Sequence, residues 1–169
     1  MRRLLAIAAT LALCGLLAAC GFQLRGAYVL PFDTLYIALP DSVELHAVIK
    51  RNVEASSQAR VVATAEKAQA ILTVTGDVPV KTVLSLSSAG RVREFQLVRT
   101  FSFRLHDATN RDLIPPGQIV IRRDISFNDT QVLSKESEEA LLWRDIQNDL
   151  VQQLLRRLAA AKLKPPAAG

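Results

Sequence analysis

The chain has 169 residues, with 21 Lys and Arg against 16 Asp and Glu and a formal net charge of +5. Half of it is apolar and Gly and Pro number seven each, which excludes a disordered, collagen-like or low-complexity protein. Two cysteines, one of them inside an apolar leader, cannot build a disulfide framework, so a hydrophobic core must hold the fold.

Residues 1–19 read as a removable secretory signal. Arg2 and Arg3 form a positive end, Leu4 to Leu17 an apolar run, and Leu17-Ala18-Ala19 a small-residue cleavage site before Cys20. Cys directly after Leu-Ala-Ala resembles the lipobox of bacterial lipoproteins, in which that Cys becomes the acylated first residue. A thiolate is the nucleophile that accepts the lipid. The competing reading is an uncleaved anchor helix, but about 17 apolar residues sit at the lower limit for spanning a bilayer. Gly21 rather than Asp follows the Cys, which by resemblance to lipoprotein sorting implies the outer membrane of a Gram-negative cell, facing the periplasm. Cys14 reads as apolar filler.

Residues 20–32 have no periodicity and read as a lipidated tether. A single domain is expected over 33–162, with 163–169 as a tail. Thr34 to Leu39 is a short strand stopped by Pro40. Asp41 or Ser42 offers an N-cap to a first helix whose Leu45, Val48, Ile49 and Val53 share a face, ending near Ser56-Ser57. Val61 to Ala63 is a minor extended piece and Glu66 to Gln69 a turn. Ala70 to Val78 is a second strand with Leu72, Val74 and Val78 on one side. Pro79 cannot donate to a ladder, so this strand bends or lies at an edge there before resuming through Leu86.

After the turn at Ser87-Ser88-Ala89-Gly90, Phe95, Leu97, Phe101, Phe103 and Leu105 take every second position, a strand with one wet face. Gln118 to Phe127 repeats the alternation through Ile119, Ile121, Ile125 and Phe127. A long helix from about Lys135 to Ala161 follows, with Ser134 as N-cap, early acids Glu136, Glu138 and Glu139, and a buried stripe of Leu142, Ile146, Leu150, Leu154 and Leu158. Pro165-Pro166 ends it. The two strands joined through the first helix should be parallel neighbours, and the turn-linked strands antiparallel. The expected architecture is α+β: a mixed sheet of four or five strands with two helices packed on one face.

No catalytic motif accompanies this pattern. His46 and His106 have no Cys or second His at metal spacing and read as surface or half-buried polar residues, so no metal or other cofactor is expected. With Cys20 acylated no mature thiol remains for nucleophilic catalysis, and Asp145 with Asp149 is an ordinary helical spacing of acids. Charge is placed unevenly, however. From Lys81 to Arg123 there are eight basic residues against three acids, so one end of the sheet could bind an anion or simply be a solvated face. Nucleic acid is excluded as a partner by compartment and by the scarcity of aromatics. Arg99 and Arg123 interrupt the apolar rows. Either a bulge turns each outward, or each lies under a helix and needs an acidic or lipid-phosphate partner.

The start Cys20-Gly21-Phe22-Gln23-Leu24-Arg25-Gly26, the Gly90 turn followed by Glu94-Phe95-Gln96-Leu97, Ser134-Lys135-Glu136 and Leu154-Leu155-Arg156-Arg157-Leu158 together resemble the LptE family of lipopolysaccharide-assembly lipoproteins. That resemblance implies a non-enzymatic outer-membrane lipoprotein, paired one to one with the β-barrel LptD, which it helps fold and plugs while lipopolysaccharide enters the outer leaflet. It also implies lipopolysaccharide-binding bases near the hairpin turn and at the start of the last helix. Lys135 stands at the second place. At the first, Ser88 precedes the Gly90 turn and the nearest bases are Arg91 and Arg93. The expected sites are therefore Cys20 for lipidation and Arg91, Arg93 and Lys135 for lipopolysaccharide. Two readings compete: a lipoprotein enzyme acting on envelope glycans or lipids, and a structural lipoprotein bound to peptidoglycan or another envelope complex.

Overall fold

The computed structural model describes residues 28–128 and 132–161. The leader, Cys20, the Leu24-Arg25 segment and the Pro165-Pro166 stop lie outside the described residues. The elements in chain order are β1 (Thr34–Ala38), α1 (Glu44–Ser56), β2 (Arg60–Val61), a 3-10 turn at Ala65–Lys67, β3 (Ala70–Leu86), β4 (Val92–His106), β5 (Asp112–Ser126) and α2 (Val132–Ala159). The five strands form one mixed sheet in the order β2-β1-β3-β4-β5. β1 is parallel to β2 and β3, as a helical crossover demands, while β3, β4 and β5 form an antiparallel meander.

Both helices cover one face. Leu35, Ile37, Leu72, Leu97, Phe101, Phe103, Leu105 and Ile119 point up at it and are completely buried against Ile49 and Val53 of α1 and Ile146, Leu150 and Leu154 of α2. The alternation expected in β4 and the stripe expected in α2 are thus the two halves of one core, although Leu142 is only partly buried. Phe32, at the end of the expected tether, is 3% exposed, and the Tyr28 N–H donates to the Ser56 carbonyl. Residues 28–32 therefore already belong to the folded unit.

Several local expectations are corrected. Helix α1 is capped by Val43 with no side-chain bond, because Pro40 accepts the Val43 N–H and the Asp41 carboxylate turns to His46 instead. Helix α2 begins before Ser134, which lies inside its first turn rather than capping it. At Pro79, of the two expected outcomes, the edge is the one found, and strand β3 is continuous there. It meets β1 only over Ala70–Thr73, so from Val74 onward its other side is an open edge where a missing N–H costs no ladder bond.

The largest correction is a change of face. Val74 pairs with Phe103 and Gly76 with Ser102, leaving Thr75 as an extra, bulged residue. Beyond it, as far as Val83 and a second register shift at Leu84, the side chains of β3 are swapped. Asp77, Pro79, Lys81 and Val83 now stand opposite Phe101, Arg99, Leu97 and Phe95 on the helix side, and Val78, expected beside Leu72, is 53% exposed on the other.

Candidate functional site

The two arginines in the apolar rows stay in phase. The β4–β5 register is unbroken from Glu94 to Phe103, so neither is turned outward by a bulge. Arg99 makes a bidentate pair with Asp77 (Nε to Oδ1 2.8 Å, Nη2 to Oδ2 2.7 Å) and donates to Gln147 Oε1 on α2. Arg123 reaches Asp149 on α2 at 3.1 Å. Acidic partners within the fold therefore meet the cost of placing both guanidinium groups beside the core. Asp149 is committed to this pair, which dissolves any joint role with exposed Asp145.

The expected ligand residues collect at the outer end of the sheet. The Ser87–Arg91 turn closes by Ser87 N–H to Arg91 carbonyl and Gly90 N–H to Ser87 carbonyl, and the Arg91 N–H also donates to Ser87 Oγ. Arg93 is exposed two residues into β4, and its carbonyl accepts the Phe127 N–H at 2.7 Å, just past the end of β5. Lys135, in the first turns of α2, donates to Ser126 Oγ (3.0 Å) and Glu138 Oε2 (2.8 Å), with its side chain 16% exposed. Ser126 lies opposite Glu94 in the register, so the helix start and the hairpin end are joined within a residue of Arg93.

Between them is a pocket of about 260 Å³. Phe95, Ile125, Phe127 and Val132 form its apolar wall, and Lys81, Lys135, Glu136 and Glu139 its polar lining. The Phe95 and Phe127 rings meet edge to face at 5.4 Å. Lys81 Nζ lies 4.2 Å from the Phe95 ring centroid and pairs with Glu139 at 2.6 Å. Glu139 also accepts from Trp143 Nε1. Sequence reasoning missed Lys81 because its place beside Phe95 depends on the Thr75 bulge, which no periodicity announces.

A second pocket of about 370 Å³ lies beside β2, lined by Tyr36, Asp41, His46, Ala47, Lys50 and Val61–Ala63. His46, expected at the surface or half-buried, is 9% exposed and its Nε2 lies 3.2 Å from Asp41 Oδ1. No Ser, Thr or Cys lines this pocket. His106 is half-buried and shares contacts with Thr73 Oγ1 and the Asp107 carbonyl. Among the described residues no group of three or more His, Cys, Asp or Glu could hold a metal, and no helix is long and apolar enough to cross a membrane.

With this geometry in place, likeness to known proteins can be stated. The profile of the family described as LptE, lipopolysaccharide-assembly, matches residues 32–158. A solution structure described as uncharacterized lipoprotein B from Nitrosomonas europaea is 40% identical, covers 83% of this chain and 91% of its own, and superposes with a TM-score of 0.73. Rare lipoprotein B from Shewanella oneidensis is 23% identical over 75% of this chain and 94% of its own, with a TM-score of 0.65. A minor lipoprotein from Acinetobacter baumannii is 22% identical over 80% of this chain and 99% of its own, at 0.64. These last two share the fold. No curated protein matches the chain.

Proposed function

The chain belongs to the LptE lipopolysaccharide-assembly family, and from that premise we propose that it is an outer-membrane lipoprotein, anchored through acylated Cys20, that assists folding of the LptD β-barrel, plugs its lumen and binds lipopolysaccharide on its way to the outer leaflet. The carrying observation is the extent of the family match: residues 32–158 run from the first core residue, Phe32, to the last leucine of the α2 stripe, Leu158. All five strands and nearly all of both helices are shared, not a fragment of the fold.

The lipid phosphates are assigned to Arg91, Arg93 and Lys135. Guanidinium forks suit phosphate oxygens, and the two arginines are exposed at a turn. Lys135 must exchange Glu138 for phosphate, which subtracts from its share of the affinity. Charge-assisted bonds contribute roughly 1.5–3 kcal/mol each, so the triple alanine variant should bind lipopolysaccharide weaker by orders of magnitude. The exposed arginines contribute little to folding, so Arg91→Ala with Arg93→Ala should melt near the wild-type temperature, and adding Lys135→Ala should lower it slightly through the lost Ser126 and Glu138 contacts. Unchanged lipopolysaccharide binding by the triple variant at moderate salt moves the site elsewhere.

The broader reading is tested by extraction. Detergent-solubilised protein should bring down a large outer-membrane barrel in about equal amount. Recovery of the protein alone, with turnover of an envelope glycan or lipid, would instead support the enzyme reading. Cys20→Ala should leave an unacylated precursor, and a fatty-acid label still incorporated by that variant would refute lipidation at Cys20.

A further inference from the structure

The pocket at the outer end has a chemistry that phosphate binding leaves unused. We infer that it seats one hydrocarbon chain of the lipopolysaccharide whose phosphates meet Arg91 and Arg93; this rests on the lipopolysaccharide-binding reading above and deepens it.

Charge is the first reason. Both ammonium groups that line the pocket are already paired, Lys81 with Glu139 and Lys135 with Glu138, and Glu136 lines it as well. Even with Lys135 turned to a lipid phosphate, Lys81 stays paired with Glu139 and Glu136 remains, so the pocket interior holds no surplus positive charge of its own. What remains unsatisfied is apolar: Phe95, Ile125, Phe127 and Val132 face a space that solvent fills only at the cost of wetting them.

Size is the second. A volume of about 260 Å³ falls below the roughly 300–1,000 Å³ of sites that enclose a whole drug-sized ligand, so it suits a narrow portion of a glycolipid and not its saccharide. The mouth is apolar too. Val132 and Leu133, the latter 81% exposed, open α2 beside it, and Val83, opposite Phe95 in the register, is half exposed. A chain leaving the pocket would stay on apolar surface.

Position is the third. Arg93 and Phe95 are two residues apart on one strand, roughly 7 Å, and the Phe127 that closes the pocket hydrogen-bonds to Arg93 itself. A phosphate at the turn and an acyl chain in the pocket are thus adjacent, as the two ends of an anionic amphiphile require.

Photo-crosslinking in cells separates the outcomes, using the full acylated chain with benzoyl-phenylalanine in place of Arg93, Phe127 or Val132. All three should form lipopolysaccharide adducts under ultraviolet light. Proteolysis and tandem mass spectrometry should then place the new bond on an acyl carbon for the adducts at 127 and 132, and on the phosphorylated saccharide for the adduct at 93. An adduct at 93 with none at 127 or 132, or adducts at 127 and 132 bonded to the saccharide, overturns the acyl-chain assignment and leaves the binding reading standing. No adduct at any of the three overturns the binding reading itself. Affinity supplies a second measurement. Each buried methylene is worth about fourfold, so intact lipopolysaccharide should bind at least roughly tenfold tighter than its fully deacylated form. Val132→Asn, which wets the apolar mouth without filling it, should lower that ratio severalfold. A ratio that Val132→Asn leaves at its wild-type value overturns the inference.

Discussion

The two turns of the meander share one backbone and differ in what holds it. In Ser87–Arg91 and in Asp107–Arg111 the first N–H donates to the fifth carbonyl, and the fourth N–H donates back to the first carbonyl. The fourth residue is left-handed in both, Gly90 at φ 75° and Asn110 at φ 65°. Ser87 adds a single side-chain bond, from the Arg91 N–H. Asp107 accepts from the Thr109 N–H and hydroxyl and from the Arg111 N–H and guanidinium, while Arg104 clamps Asn110. The locked turn lies at the end of the sheet where Leu72, Phe103 and Leu105 are completely buried. The lightly held turn lies where Val83, Leu84 and Leu86 are exposed and the pocket opens. The difference teaches that one meander is divided between an end sealed by core packing and turn hydrogen bonds and an end whose apolar side chains stay exposed beside a pocket.

Substitutions can break this contrast or sharpen it. The largest effect is expected from Phe101→Ala, which empties a completely buried site and should cost about 3–5 kcal/mol in chemical denaturation. Leu86→Ala at the outer end should stay within about 0.5 kcal/mol, since that side chain is already mostly in water. Comparable losses at both positions would erase the division between the two ends. Next is Asp77→Ala at the boundary. It leaves the Arg99 guanidinium, 12% exposed, without its bidentate carboxylate and should cost about 2 kcal/mol, below the range for a fully buried pair because Asp77 is partly solvated.

Asp107→Ala should lower the melting temperature by a smaller amount, and the pH dependence identifies the cause. The Thr109 hydroxyl first, then the Arg111 N–H, pull the Asp107 carboxyl from 3.8 down to about 2. A depressed carboxyl stabilises the fold above its unfolded value, and that contribution is lost as pH falls through the folded one. The gap between wild type and Asp107→Ala should therefore be full at neutral pH and close between 3.8 and about 2. A gap that persists unchanged at the acid end would show that the carboxylate's hydrogen bonds are not its source. The smallest pair of effects compares the left-handed positions. Gly90→Ala should cost about 1 kcal/mol from φ strain alone, since nothing lies within 4 Å of the added methyl group. Asn110→Gly relieves no strain of that size and keeps the carbonyl that Arg104 also meets, so its cost should fall within a few tenths of a kcal/mol beyond the loss of the Arg104 contact to Oδ1.

Much of this architecture is legible in the residues themselves. A five-residue row of large apolar side chains at every second position can only be a strand with one covered face. A leucine stripe at helical spacing supplies the cover, and a helix between two short strands makes them parallel. The hairpin turn with Arg91 and Arg93 and the helix start with Lys135 are also legible, as separate charged segments. Their nearness is not, because it depends on the length of β5 and the return of α2 across it. Still less legible is the face that β3 presents after Thr75. A bulge inserts one residue, and with a side-chain period of two that single insertion exchanges every inward position for an outward one. Asp77 thereby becomes the partner that Arg99 needs, Lys81 comes to lie over Phe95, and Val78 is turned to solvent. Local periodicity decided which segments are strands and helices, because it depends only on neighbours along the chain. The tertiary register decided which charges meet and where the pocket lies, because those pairings join residues that only cross-strand hydrogen bonding and helix packing bring together.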